Sequence, residues 1–155
     1  MRVNPYLSFN GNCREAFEFY AALFGGRIMA MMTWADMPAD ARPEQPAEGC
    51  AAPDMGAAMK DKIMHACMDI GGTLLMAGDA PQGMYQKPVG TNITMNIDDP
   101  AEADRVFAAL TEGGSITMPI GETFWADRFG MVTDRFGTPW MINCAKPMQA
   151  SQAAE

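Results

Sequence analysis

The chain repeats itself, and the repeat restricts its fold more than any other feature. Tyr20-Ala21-Ala22-Leu23, followed by Gly25-Gly26, returns as Phe107-Ala108-Ala109-Leu110, followed by Gly113-Gly114. Each block leads into a short apolar segment containing an isoleucine, Ile28 and Ile116. Further on, Asp69 to Met76 aligns with Asp134 to Met141, setting Gly72 on Gly137 and Thr73 on Thr138. The order strand, helix, strand, hairpin therefore occurs twice. The expected fold is α+β: two βαβββ repeats forming a curved mixed sheet around a shared cavity, with the helices on its outer face.

Local patterns support this order. Pro5 to Phe9 reads as a strand and Asn10-Gly11-Asn12 as a turn. Asn12 with Glu15 three residues later predicts a capping box, and Ala16, Phe17, Tyr20, Leu23 and Phe24 fall on one helical face. Gly25-Gly26 ends that helix, and Arg27 to Trp34 reads as the second strand. Ile63 to Ile70 and Thr73 to Ala77 form a hairpin about Gly71-Gly72. Asn92 to Ile97 alternates cleanly, with Asn92, Thr94 and Asn96 expected towards the cavity and Ile93, Met95 and Ile97 under a helix. Asp99-Pro100-Ala101-Glu102 is a helix start, and Ala103, Val106, Phe107 and Leu110 its buried stripe. Strands follow at Ser115 to Met118, Gly130 to Thr133 and Trp140 to Cys144, with Glu122 to Arg128 read as a turn.

The reading gives one domain over residues 1–146, with repeat one at about 1–80 and repeat two at about 91–146. Residues 35–61, with Pro38, Pro43, Pro46 and Pro53, form a long loop, and 147–155 a flexible tail. The formal net charge of −8 argues against nucleic acid or an anionic membrane as partner. No apolar run is long enough for a transmembrane helix. Met1 to Pro5 lacks the apolar stretch of a signal peptide, so the expected compartment is the cytoplasm. Cys13, Cys50, Cys67 and Cys144 show no metal-ligand spacing and are expected as free thiols. The sixteen methionines suit irregular cores and adaptable binding surfaces.

These residues also resemble a known family. Pro5-Tyr6-Leu7-Ser8-Phe9-Asn10-Gly11-Asn12, Ala16-Phe17-Glu18-Phe19-Tyr20 and Phe24-Gly25-Gly26 resemble the PhnB-like branch of the vicinal-oxygen-chelate (glyoxalase/bleomycin resistance/dioxygenase) superfamily. Asp61 to Ala66, Gly121 to Gly130, Asp134 to Gly137 and Pro139 to Asn143 complete the match. The branch also carries the name 3-demethylubiquinone 3-methyltransferase-like. The glycine-rich strand-to-helix turn that would hold a methyl-donor cofactor is missing here, which argues against that chemistry.

The resemblance implies one divalent metal held by four side chains, two from each repeat, acting as a Lewis acid on neighbouring substrate oxygens. Alignment on the helix and hairpin landmarks carries those positions to Pro5, Met76, Asn92 and Met141. Proline has no donor side chain, thioethers suit copper(I), and asparagine offers one weak oxygen. No cofactor is therefore expected. A divalent ion would need a non-standard site drawn from Asp79, Asn143 and His65, the sole imidazole.

The ligand-binding candidates are His65, Met76, Asn92, Thr94, Glu122, Trp125, Arg128 and Met141. His65 reads either as a hydrogen-bonded structural histidine or as a base or substrate contact. Glu122 to Arg128 reads either as a turn with an Asp127–Arg128 pair or as a rim, where Trp125 stacks on a ligand and Arg128 binds its anionic end. No catalytic residue is assigned. The leading function is a small-molecule pocket without the standard metal; some superfamily members are similar metal-free binders that sequester drugs. The alternatives are a metal-dependent glyoxalase-like lyase, isomerase or dioxygenase, and a non-catalytic interaction protein. The resemblance also implies a homodimer, which would cover open strand edges.

Overall fold

The structure is a computed structural model of the 155-residue chain. It describes residues 1, 3–38 and 57–147. Cys50, the heart of the proline-rich stretch and the tail beyond 147 lie outside the described residues. The chain divides into two compact units, Met1–Lys87 and Pro88–Glu155, and each carries one βαβββ repeat.

Unit one contains β1 (Tyr6–Phe9), α1 (Cys13–Phe24), β2 (Arg27–Thr33), β3 (Ile63–Ile70) and β4 (Thr73–Asp79). Its four-stranded sheet runs β1-β4-β3-β2. β1 and β4 are parallel, and the other neighbours antiparallel. Short 3-10 turns at Trp34–Asp36 and Ala57–Met59 flank the undescribed stretch. The helix forms where apolar residues recur at helical spacing: Cys13, Ala16, Phe17, Tyr20 and Leu23 are its buried face. They pack on Phe9, Ile63, Ala66, Met68, Leu75 and Ala77 of the sheet, all buried. Each large side chain so removed from water contributes roughly 1.5–3 kcal/mol. Gly25 takes the left-handed conformation at the helix C-terminus, φ 65°, as the glycine pair predicts.

The predicted capping box at Asn12 does not form. Asn12 makes no side-chain cap, and its Oδ1 is buried without a hydrogen-bond partner among the described residues. The carboxylate of Asp79, at the end of β4, takes over: Oδ1 accepts from Cys13 N at 3.0 Å and Oδ2 from Ile63 N at 2.8 Å. A buried carboxylate thus joins the helix start to two strands, and the acidic end meets the positive end of the helix dipole.

Unit two contains β5 (Ile93–Asn96), α2 (Pro100–Thr111), β6 (Ser115–Gly121), β7 (Ala126–Thr133) and β8 (Pro139–Ala145). The sheet order is β5-β8-β7-β6, again with the first pair parallel. Asp99 caps α2 as expected, accepting from Ala101 N at 3.1 Å. Glu102 instead pairs with Arg105 at 2.6 Å. The core beneath α2 is Ala103, Val106, Phe107 and Leu110 against Val132, Trp140 and Ile142. Asp134 anchors the β7–β8 hairpin: Oδ1 accepts from Phe136 N and Thr138 N, and Oδ2 from Trp140 Nε1 at 2.8 Å.

Two boundaries differ from the sequence reading by more than two residues. β6 runs on to Gly121, and β7 begins at Ala126, inside the segment read as a turn. Pro119 breaks the regular pairing of β6, and an edge strand tolerates a residue without an N–H. Ala126 to Arg128 become strand because β8 supplies partners, Ala145 and Cys144.

Candidate functional site

In each unit α1 or α2 covers one sheet face, so the side chains available for chemistry are those on the other face. In unit two the strand registers set them out in two rows. Met118 of β6 stands opposite Met131 of β7, which stands opposite Met141 of β8, which stands opposite Thr94 of β5. The adjacent row is Gly121, Phe129, Asn143 and Asn96 on the same strands. The Thr94 hydroxyl donates to Met141 Sδ at 3.8 Å. Asn143 Nδ2 donates to Asn96 Oδ1 at 2.9 Å. The Trp125 ring meets Phe129 edge-on, 5.5 Å between centroids, and Phe124 meets Trp125 at 4.6 Å. One row is polarisable thioether; the other grades from aromatic to amide.

In unit one the corresponding face holds Tyr6, Met76 and Cys67, which face one another across β1, β4 and β3. His65 lies two residues from Cys67 on β3, opposite Met32 of β2. The His65 and Tyr6 rings stack at 6.0 Å with 25° between planes. The Tyr6 hydroxyl reaches Met64 O at 3.5 Å, and burial is the main cause raising its pKa. Gly78 makes room for that ring: a Cβ there would lie 2.7 Å from the Tyr6 hydroxyl oxygen.

The eight candidate residues are thus distributed unevenly. His65 and Met76 share the open face of unit one, Thr94 and Met141 that of unit two. Asn92 is exposed just ahead of β5. Trp125 is half-exposed beside Phe129. Glu122 is tied to Lys146 at 2.6 Å, and that bond holds its carboxyl below the usual range. Arg128 is not brought to the face of Thr94 and Met141. It pairs with Cys144 on the helix side, and its Nε donates to Asp104 of α2 at 2.9 and 3.1 Å. The Asp127–Arg128 pair reduces to a contact of Arg128 Nη1 with the Asp127 carbonyl, 2.8 Å.

Pro5 also moves. Helix landmarks set Pro5 opposite Met76 and Asn92 opposite Met141, but the strand register sets Tyr6 and Thr94 there. Tyr6 stands seven positions before the first helical residue, Cys13, whereas Thr94 stands six before Pro100, so helix and strand landmarks cannot both align. Pro5 contributes its carbonyl, which accepts from Met76 N at 3.1 Å. The sequence missed Tyr6, although the alternation of Tyr6 and Ser8 against Leu7 and Phe9 carried the signal.

The donor set is soft or neutral. The residues facing across the two parallel strand pairs are Tyr6 with Met76 and Thr94 with Met141, a phenol, a hydroxyl and two thioethers. Among the described residues, no three His, Cys, Asp or Glu side chains gather to hold a metal ion. Asp79 is committed beneath α1, on the opposite face from His65. These residues do not fit a hard divalent cation, which needs charged oxygen or imidazole donors. Elsewhere in unit one, a cleft of about 290 Å³ opens at the start of α1 beside Gly11, Asn12, Asp61 and Lys62. Lys62 Nζ already donates to Gly11 O there at 2.8 Å.

Residues 2–142 match the Glyoxalase/Bleomycin resistance protein/Dioxygenase superfamily. The chain belongs to that superfamily. Protein YjdN of Escherichia coli K12 is 37% identical over 147 residues, 94% of this chain and 97% of that protein. The crystal structure of protein PA1353 from Pseudomonas aeruginosa is 46% identical and covers 95% of this chain and 99% of its own, with a TM-score of 0.78. A PhnB protein from Bacillus cereus, also named as a 3-demethylubiquinone-9 3-methyltransferase, is 22% identical over 94% of this chain and 100% of its own, with a TM-score of 0.71. That last likeness shows the fold alone. The superfamily fold accounts for the repeated βαβββ units, each with four strands and one helix. Among the described residues no helix is long and apolar enough to cross a membrane.

Proposed function

We propose that this chain is a PhnB-like small-molecule-binding protein that works without the divalent metal of its superfamily. One observation carries the reading. The facing positions on the parallel strand pairs hold Tyr6 with Met76 and Thr94 with Met141, where a divalent metal needs charged or imidazole donors. What remains on those faces suits a neutral organic ligand: methionine rows adapt to irregular shapes, and a few amides and rings fix orientation.

Thermal shift against a small-molecule collection, run with and without EDTA, tests this. A ligand at a hundred times its Kd stabilises the native state by about 2.7 kcal/mol, or roughly 5–10 °C for a chain of this size. The expected result is at least one such shift, unchanged by EDTA. Shifts that appear only with added zinc, nickel, manganese or iron(II) favour the metal-dependent alternative. Absence of any shift favours an interaction protein.

The same reading places the protein in a reducing cytoplasm, as a homodimer. Cys13, Cys67 and Cys144 are free thiols, as that compartment keeps them. The open edges β1, β2, β5 and β6 are available for pairing. Light scattering at twice the chain mass supports the dimer, and the chain mass rejects it.

A further inference from the structure

We propose that the ligand of unit two is a flat, neutral molecule with an amide-type edge, an adjacent hydrogen-bond donor and acceptor, and not an anion. This rests on the small-molecule reading above and names the chemistry it selects.

The argument starts from the two rows on the open face. The single bond from Asn143 Nδ2 to Asn96 Oδ1 consumes one donor hydrogen and one acceptor site. An amide has two donor hydrogens and an acceptor oxygen. Asn96 therefore still offers its NH₂ and Asn143 its carbonyl oxygen, side by side. Exchanging O and N in both groups leaves the same outcome, one donor group and one acceptor. A lactam or primary amide complements that pair; a carboxylate, which only accepts, would meet the Asn143 oxygen as a repulsive neighbour.

The neighbouring row fixes the rest of the molecule. Met118, Met131 and Met141 stand opposite one another on three consecutive strands, a continuous polarisable strip. Thioethers favour contact with aromatic rings. Phe129 occupies the amide row beyond Asn143, with Trp125 against it. At the row's end, an added Cβ on Gly121 would meet nothing within 4 Å, so space is open there. A planar ring lying on neighbouring thioethers can turn its polar edge to the amides one row away.

Charge gives the exclusion of anions independently. The cations of this unit are engaged elsewhere: Arg105 with Glu102, Arg128 with Asp104, Lys146 with Glu122. Arg135 lies over the Phe136 ring at 4.8 Å. The whole chain carries −8, which disfavours anionic ligands further.

Calorimetry with matched probes tests the proposal on the full chain. The probes are quinolin-2-one, a flat lactam, and 2-naphthoate, a carboxylate of similar size. The expected result is that quinolin-2-one binds at least about tenfold tighter than 2-naphthoate, and that Asn143→Leu removes about tenfold of that affinity. The melting temperature of the free variant establishes that it folds, and Asn96→Leu serves as the second variant should Asn143→Leu not fold. Equal or tighter binding of 2-naphthoate overturns the amide-edge class while leaving the small-molecule reading standing. So does lactam affinity indifferent to both substitutions. Failure of both probes to bind overturns the inference here, while a hit of other chemistry in the thermal-shift collection would keep the broader reading.

Discussion

Single groups set the sharpest constraints on this molecule, and Asp79 is the clearest. Its two oxygens hold Cys13 N and Ile63 N in the interior. Asp79→Ala should leave two buried N–H groups unpaired, at about 1–3 kcal/mol each, and lower the urea midpoint accordingly. An unchanged midpoint would mean that water or a rearranged Asn12 replaces the carboxylate. Asp79 also acts on its neighbour. Burial first, then the Asp79 charge, pushes the Cys13 thiol up to about 12, against a small opposing effect of Arg14. A thiol raised in the folded state favours folding below its unfolded value near 9, and that contribution is lost as pH rises from there towards 12. Stability should therefore fall across that window, and Cys13→Ala should flatten part of the fall. In the native protein at pH 8, iodoacetamide should label half-exposed Cys67 before buried Cys13 and Cys144. Mass mapping that finds Cys13 first would contradict this placement.

Helices and strands were the most readable level of the sequence. The two helices, their buried stripes and the Gly25 terminus follow from spacing and glycine chemistry within a dozen residues. The cap of α1 does not, because its donor and acceptor are 66 residues apart in the chain. No local pattern distinguishes Asn12, which only resembles a cap, from Asp79, which performs as one. The start of β7 was hidden for a related reason: Glu122 to Arg128 is rich in charge and aromatic surface, and only pairing with β8 makes its second half a strand. The sequence left Arg128 between a pair with Asp127 and a ligand contact, and in the structure its side chain pairs with Asp104, a partner on α2 that strand alternation alone leaves unseen. Close approach between elements is testable at the glycines. A Cβ at Gly114 would lie 2.5 Å from Thr133 O and 2.8 Å from Leu110 O, both backbone, whereas one at Gly26 would meet the Met68 side chain. Gly114→Ala should cost about 1–3 kcal/mol and Gly26→Ala less, because a thioether can move aside. Chemical denaturation of the two variants reads the difference; equal losses would show that Met68 is as rigid as backbone.

At the scale of the whole chain, the internal repeat specified the architecture, while function depends on which side chains occupy equivalent places in each copy. The repeat is visible because both copies bury the same helical face and turn the same hairpin. It could not fix the facing residues, since the distance from facing residue to helix start differs by one between the units, and the register puts Tyr6 and Thr94 in the places assigned to Pro5 and Asn92. Both assignments lead to the same chemical conclusion: neither proline and asparagine with two methionines, nor tyrosine and threonine with them, is a divalent-metal set. The most direct test is metal content of the purified, untagged protein after incubation with zinc, nickel, manganese and iron(II). The proposal predicts that little metal survives desalting, under about one ion per ten chains, as expected of a donor set this poor. Near-stoichiometric retention of any of the four would contradict it and make metal-assisted chemistry the leading function.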